Sequence, residues 1–141
     1  MISVSVDTSG GEPPPLPQGT VRSLIQATLG ENNITAARIQ VVFAADEYLH
    51  RLKQRFTGRD HYTDVLAFQL EEPGEPLEGE IYISRERALE NSRRYGESHR
   101  RELMRLVVHG SLHLAGYRDD TIEEREQMRA MEDRFLDSAD G

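Results

Sequence analysis

Apolar residues recur along this chain with two different spacings, which predict where strands and helices lie. Alternation of apolar and polar residues, or a short apolar run, indicates a strand, whereas apolar residues three or four apart indicate an amphipathic helix. We predict four strands, at residues 2–6, 37–44, 65–68 and 79–84. We predict five helices between capping residues and glycines, which begin near Pro17, Asp46, Ser84, Ser98 and Thr121.

The order of these elements is β-α-β-α-β-β-α-α-α, without strict alternation of strand and helix. We therefore expect an α+β fold in which helices cover a small, mixed and mostly parallel sheet. The helix between the first two strands favours parallel pairing, and the short loop at residues 71–78 favours antiparallel pairing of the last two. The length of 141 residues suits a single domain over residues 1–141.

Composition narrows the class of protein and the chemistry open to it. Hydrophobic residues make up 37% and charged residues 30% of the chain, as in compact soluble proteins. The longest apolar runs are far shorter than the roughly 20 residues of a membrane span, and residues 1–7 do not resemble a signal peptide. We therefore expect a cytoplasmic protein. Because the chain has no cysteine, any metal must bind histidine or carboxylate side chains.

The charge of the chain gives two opposing indications about nucleic acid. The net charge is −8, from 17 basic and 25 acidic residues, which argues against general attraction to RNA. Arginines nevertheless crowd one segment, at positions 85, 87, 93, 94, 100, 101 and 105. This segment is either an RNA-binding patch or a solvated helix surface of mixed charge, and the sequence leaves both interpretations open.

The most informative stretch is residues 109–120, in an otherwise apolar helix. His109 and His113 are four residues apart, a spacing that stacks both imidazoles on one helical face. Gly116 suits the end of that helix, and a chain that turns back there could bring Asp119 or Asp120 to the same ion. Two imidazoles, one carboxylate and an open position are typical of catalytic zinc. The alternatives are histidines satisfied within the core and an aspartate that only caps the next helix.

The same stretch is close to the pattern of zinc peptidases of the metzincin type. Those enzymes need a glutamate directly after the first histidine as their general base. Gly110 occupies that position and has no group that can accept a proton. We therefore do not expect peptidase activity.

Three blocks of sequence resemble one known family. The stretch His-Gly-Ser-Leu-His-Leu-Ala-Gly-Tyr at residues 109–117 is similar to the metal signature of the YbeY family of bacterial rRNA maturation factors. Thr-Asp-Val-Leu-Ala-Phe at residues 63–68 and Gly-Glu-Ile-Tyr-Ile-Ser at residues 79–84 resemble that family in order and spacing. The resemblance extends over nearly the whole chain. It implies a metzincin-like (zincin-like) fold that holds one zinc ion per chain.

The resemblance also implies a function and its partners. It implies a zinc-dependent, single-strand-specific endoribonuclease that acts in late 3′-end maturation of small-subunit (16S) rRNA and in ribosome quality control. The implied partners are rRNA, the small ribosomal subunit and ribosome-associated proteins. The alternative from another class is a non-catalytic ribosome-assembly factor in which the metal is structural. An open coordination position would favour the enzyme.

The family's functional residues map onto this chain with two departures. Its first two metal-binding histidines correspond to His109 and His113, whereas the third falls on Asp119. A carboxylate is a competent zinc ligand at about 2.0–2.2 Å, but its side chain is shorter than imidazole, so the loop must approach more closely. The family's arginine ahead of the Thr-Asp-Val-Leu block falls on Thr57.

The catalytic residues are less defined than the metal ligands. Arg59 and Arg118 are the candidates to replace the family's arginine. Asp64 is a candidate base, or a residue that supports the metal ligands, although it could instead cap the turn before the third strand. His61 faces either the site or solvent. The sequence assigns no general base and leaves the attacking nucleophile open.

Overall fold

The sheet contains four strands in the order β1-β2-β4-β3. The computed structural model describes residues 1–58 and 63–140. Its strands are β1 (Ile2–Thr8), β2 (Ala37–Ala44), β3 (Val65–Gln69) and β4 (Leu77–Ser84). β2 pairs in parallel with β1 and β4, whereas β3 pairs antiparallel to β4 and forms one edge. The predicted α+β class and both predicted pairings are confirmed, and β1, β3 and β4 are each longer than predicted.

Five helices follow the predicted order, with ends fixed by local chemistry. They are α1 (Gln18–Glu31), α2 (Asp46–Thr57), α3 (Arg85–Tyr95), α4 (His99–Leu114) and α5 (Ile122–Asp140). The hydroxyls of Ser84 and Ser98 accept backbone N–H bonds at the starts of α3 and α4. Thr121 and Glu124 form the reciprocal capping box before α5, with bonds of 3.1 and 3.0 Å.

The core lies between one face of the sheet and helices α1, α4 and α5. Alternate residues of β2 and β4, including Phe43 and Ile81, point toward these helices and are fully buried. The opposite face is partly covered by α2, through a smaller cluster that contains Val42 and Leu49. No helix in the described part of the chain is long and apolar enough to cross a bilayer.

Two glycines set how closely α4 approaches the sheet. A Cβ added to Gly110 would lie 2.6 Å from Cγ2 of Ile81, and one added to Gly79 would lie 2.8 Å from Cδ1 of Leu114. Any larger side chain at either position would force the helix and β4 apart. The backbone of α4 therefore packs directly against β4, which fixes the position of His109 relative to the sheet.

Candidate metal centre

The turn after α4 returns the chain toward the two histidines of that helix. Gly116 has φ 104°, a conformation that glycine adopts without steric penalty. The N–H groups of Gly116 and Tyr117 donate 3.0 Å bonds to carbonyls of the last helical turn. The Tyr117 hydroxyl then donates a 2.7 Å bond to Asn32, which anchors the turn to the end of α1. This turn positions Asp119 beside α4.

His109, His113 and Asp119 meet with three ligand atoms close together. Nε2 of His113 lies 3.0 Å from Nε2 of His109 and 3.2 Å from Oδ2 of Asp119. Oδ2 of Asp119 is 3.4 Å from Nε2 of His109. Tetrahedral zinc with bonds of about 2.0–2.1 Å separates its ligand atoms by about 3.3 Å. The triangle therefore has the size of one face of a zinc tetrahedron.

The hydrogen bonds on the far side of each imidazole decide which nitrogen carries the hydrogen. Nδ1 of His109 is 2.7 Å from Oε2 of Glu132, and Nδ1 of His113 is 3.1 Å from the carbonyl oxygen of Tyr117. Carboxylate and carbonyl oxygens accept hydrogen bonds, so both Nδ1 atoms donate. In the neutral rings both Nε2 atoms then carry lone pairs that face each other and Asp119. Three crowded acceptors of this kind fit a bound cation, and their role as ligands stays a prediction.

The electrostatic surroundings of His109 favour positive charge. Burial alone would lower the pKa of His109, but the hydrogen bond from its ring to Glu132 and the charges of Glu132, Asp64 and Asp119 outweigh burial. The pKa of His109 is therefore raised above its ordinary value. The same negative charges that favour a proton on the ring would stabilise a metal ion there.

Glu132, which the sequence interpretation missed, supports His109 from α5. Its side chain is only 5% exposed, and its second oxygen, Oε1, lies 3.4 Å from Nη1 of Arg105. Its position carried a signal, because Met128, Phe135 and Leu136 lie on the same face of α5 and are buried. A glutamate on such an apolar face needs a buried partner. Its contact with a candidate ligand resembles the carboxylate–histidine–metal arrangements of zinc proteins.

Replacing Glu132 with glutamine is expected to weaken zinc binding by about 10-fold or more, because His109 loses the carboxylate that orients it and raises its basicity. Competition with a chelating dye would measure the dissociation constant. Asp133→Asn is the matched control, since Asp133 also pairs with Arg105, at 2.9 Å, but bonds to neither candidate histidine. Equal affinities in wild type and Glu132→Gln would contradict the positioning role.

Asp64 lies immediately before β3 and accepts a hydrogen bond from a residue of α3. Its Oδ2 accepts a 3.0 Å hydrogen bond from Nδ2 of Asn91, and the same nitrogen lies 3.3 Å from Oε2 of Glu102. The side chain is thus held by Asn91, a residue that the sequence did not single out. Burial raises the pKa of Glu102 to about 7, against the opposing effects of Arg105 and Asn91. A partly buried network of two carboxylates and an amide therefore extends from β3 to α4.

The other candidate residues have different placements. Arg118 lies between the candidate ligands His113 and Asp119 in the chain, but its guanidinium is exposed and binds Asp120 through contacts of 2.8 and 3.0 Å. Asp120 is therefore paired with Arg118, and Asp119 is the carboxylate that lies beside the two histidines. Thr57 is the last residue of α2. Arg59 and His61 lie outside the described residues.

The arginine-rich segment is largely neutralised by carboxylates. Ion pairs join Arg85 to Glu12, Arg87 to Asp46, Arg94 to Glu90 and Arg101 to Asp137. Arg105 is 3% exposed and lies among four carboxylates, those of Glu97, Glu102, Glu132 and Asp133. The structure therefore favours the mixed-charge interpretation, and it corrects the placement of Arg105 on the surface.

Comparison with known proteins identifies relatives over most of the chain. The sequence model of the family described as Endoribonuclease YbeY matches residues 16–140. Endoribonuclease YbeY of Christiangramia forsetii is 37% identical over 115 residues, which cover 82% of this chain and 80% of the relative. Endoribonuclease YbeY of Salinibacter ruber is 34% identical over 131 residues, which cover 87% and 83%.

A solved structure shares the fold. The solution structure of TM1509 from Thermotoga maritima superposes with a TM-score of 0.64 at 24% identity. The match covers 96% of this chain and 88% of that protein. Together, the family match and the two relatives show that the chain belongs to the endoribonuclease YbeY family.

Proposed function

We propose that the protein is a metal-dependent endoribonuclease that hydrolyses phosphodiester bonds of ribosomal RNA. Membership of the family supports the class of reaction. The observation that carries the proposal is the group of three acceptor atoms from His109, His113 and Asp119. Their side chains are 21%, 30% and 36% exposed. Three protein ligands that solvent can reach are typical of a catalytic site, whereas structural zinc sites use four.

Zinc is the metal that this donor set fits best, at one ion per chain. Two imidazole nitrogens and one carboxylate oxygen are a common zinc environment, and the spacing of the three atoms matches tetrahedral coordination. When bound, zinc would supply Lewis acidity toward a phosphoryl oxygen of the substrate. Glu132 and the carbonyl of Tyr117 keep the two Nε2 atoms directed at the site.

Asp64 is the residue that we propose as proton acceptor or as a group that orients the nucleophile. Its negative charge acts on His109, and the bond from Asn91 fixes the direction of its carboxylate. A carboxylate held in this way can take up a proton during hydrolysis. Arg59 and Arg118 remain candidates to offset charge in the transition state, and Arg118 would have to leave Asp120 to do so.

The proposed substrate is single-stranded RNA at the 3′ end of the small-subunit (16S) rRNA, which gives the enzyme a role in ribosome maturation and quality control. Ribosomes then supply the partners, and the site of action is the cytoplasm. The net charge of −8 predicts weak binding to isolated RNA that weakens further with added salt. Contacts with the ribosome would supply the remaining affinity.

Cleavage of labelled RNA tests this proposal. We expect the zinc-loaded protein to cut an unstructured RNA and to spare the same RNA annealed to its complement. A chelator should stop the reaction and zinc should restore it. His113→Ala, purified in parallel, controls for contaminating nuclease. Cleavage by His113→Ala at the wild-type rate, or no cleavage by protein with stoichiometric zinc, would contradict the proposal.

The second candidate function is a ribosome-assembly factor without catalytic activity. It is favoured by Thr57 at the position of the family's arginine and by the arginines that carboxylates neutralise. Such a protein would hold zinc and sediment with the small subunit, but would not cut RNA. The same assay, combined with sedimentation, separates the two functions.

A further inference from the structure

The outer surface of α2 places cationic and aromatic side chains together. Arg51, Arg55 and Phe56 are all exposed. Tyr48, Arg51, Leu52 and Arg55 line a groove of about 330 Å³. Residues 48–58 contain no acidic residue, although the chain has 25. Among the described residues, neither Arg51 nor Arg55 pairs with a carboxylate, unlike the arginines of α3 and α4 described above.

Phe56 belongs to a chain of aromatic rings that runs from α2 onto the sheet. Its centroid lies 5.4 Å from that of Phe68, which lies 5.9 Å from Tyr82, which in turn lies 6.0 Å from Tyr48. The Arg55 guanidinium lies 5.6 Å from the centroid of the Phe56 ring. A single exposed apolar residue has little meaning. Phe56 differs because it is 62% exposed while neighbouring rings and a cation fix its position.

This surface and the candidate metal centre lie on opposite faces of the sheet, at similar positions along the edge strand β3. Gly110, next to His109, rests on Ile81 of β4, and Ile81 pairs with Ala67 of β3. Ala67 points toward α4, so the next residue, Phe68, points to the opposite face. Because β3 forms the edge of the sheet, a strand of nucleic acid that crosses this edge could contact both surfaces.

We propose that the α2 surface, formed by Arg51, Arg55, Phe56 and Phe68, binds single-stranded RNA across the β3 edge of the sheet from the candidate metal centre. Exposed guanidinium groups bind phosphates, and the ring of Phe56 stacks on an unpaired base. Paired bases are stacked within their helix and cannot reach such a ring, so the surface selects single strands. This inference rests on the proposed ribonuclease function, since it names a contact for the same substrate.

Binding of a labelled, unstructured oligoribonucleotide of about 12 nucleotides tests the surface without the metal centre. Fluorescence anisotropy in chelator measures affinity while cleavage is blocked. We expect Phe56→Ala to weaken binding about 5- to 150-fold, the loss of one stacked base. Phe56→Trp should retain the affinity, because tryptophan also stacks. Arg51→Gln with Arg55→Gln should lower the slope of log affinity against log salt by about 1.4, because two phosphate contacts are lost.

The chain offers a matched control on another surface. Tyr95 is 52% exposed and lies under Arg129, whose guanidinium is 5.2 Å from the ring centroid. Tyr95→Ala removes a similar aromatic–arginine pair and should leave RNA affinity unchanged. Equal affinities of wild type and Phe56→Ala, an equal loss in Tyr95→Ala, or no measurable binding by wild type would overturn the proposal. If the α2 surface binds a ribosomal protein and not RNA, wild type and Phe56→Ala would have equal RNA affinities.

Cleavage by the zinc-loaded protein separates this inference from the proposed function. If RNA binding depends on Phe56 but the zinc-loaded protein cleaves no RNA, the proposed RNA-binding surface stands and the endoribonuclease function is contradicted. If Phe56→Ala cleaves RNA with the KM of wild type, the endoribonuclease function stands and the proposed RNA-binding surface is contradicted. Circular dichroism of each variant establishes that it is folded, and the exposure of Phe56 makes this the expected result.

Discussion

Replacement of Arg105 with methionine is expected to lower the free energy of unfolding by about 3–5 kcal/mol. The guanidinium is buried and lies within 3.4 Å of the nearest oxygens of Glu97, Glu102, Glu132 and Asp133. Methionine fills a similar volume but leaves the buried carboxylate of Glu102 without its cation and leaves Glu132 with His109 alone. Unpaired charges in the core are among the most costly consequences of a single substitution.

Arg134→Met is the control for this prediction. The Arg134 guanidinium lies 2.6 Å from Oε1 of Glu31, a shorter contact than any made by Arg105, but its side chain is 58% exposed. Because solvent screens an exposed pair, we expect its loss to cost about 1 kcal/mol or less. Urea denaturation of both variants measures the two costs. Similar costs would show that burial of the Arg105 cluster does not contribute to stability in this way.

Zinc is expected to raise the free energy of unfolding by about 4 kcal/mol when its concentration is about 1,000 times the dissociation constant. The physical reason is that three acceptor atoms lie close together in the folded protein and would bind a cation there. The unfolded chain does not bring these atoms together and so would not bind it in the same way. Thermal denaturation with zinc and with chelator measures the change. The protein should melt at a lower temperature in chelator.

Asp119→Ala provides the internal control for the effect of zinc. Without metal this variant should be about as stable as wild type, because it loses one of three acceptors that face one another. With zinc it should recover only a small part of the wild-type gain, since two imidazoles alone form a weaker site. An undiminished gain in Asp119→Ala would mean that zinc stabilises the protein from another location.

Local patterns predicted the elements of this fold well. The starts of α3, α4 and α5 follow from Ser84, Ser98 and Thr121, because a hydroxyl that caps a helix acts on residues within the next turn. The spacing of His109 and His113 likewise placed both side chains on one face of α4. Properties that depend on neighbours in sequence are therefore readable before the structure is known.

Contacts between distant elements could not be predicted in the same way. Glu132 meets His109 from 23 positions away, and Asn91 reaches Asp64 from 27 positions away. The sequence alone groups Arg105 with the other arginines, since composition cannot distinguish a surface charge from one that four carboxylates surround. Which of Asp119 and Asp120 lies beside the histidines also depends on the geometry of the turn, in which Asp120 pairs with Arg118.

The metal content of three proteins tests the central claim most directly. Elemental mass spectrometry of wild type, Asp119→Ala and Asp120→Ala should find close to one zinc per chain in wild type and in Asp120→Ala, and little in Asp119→Ala. RNA cleavage by the same samples should follow the zinc. Zinc retained by Asp119→Ala, or absent from wild type, would contradict a metal centre formed by His109, His113 and Asp119.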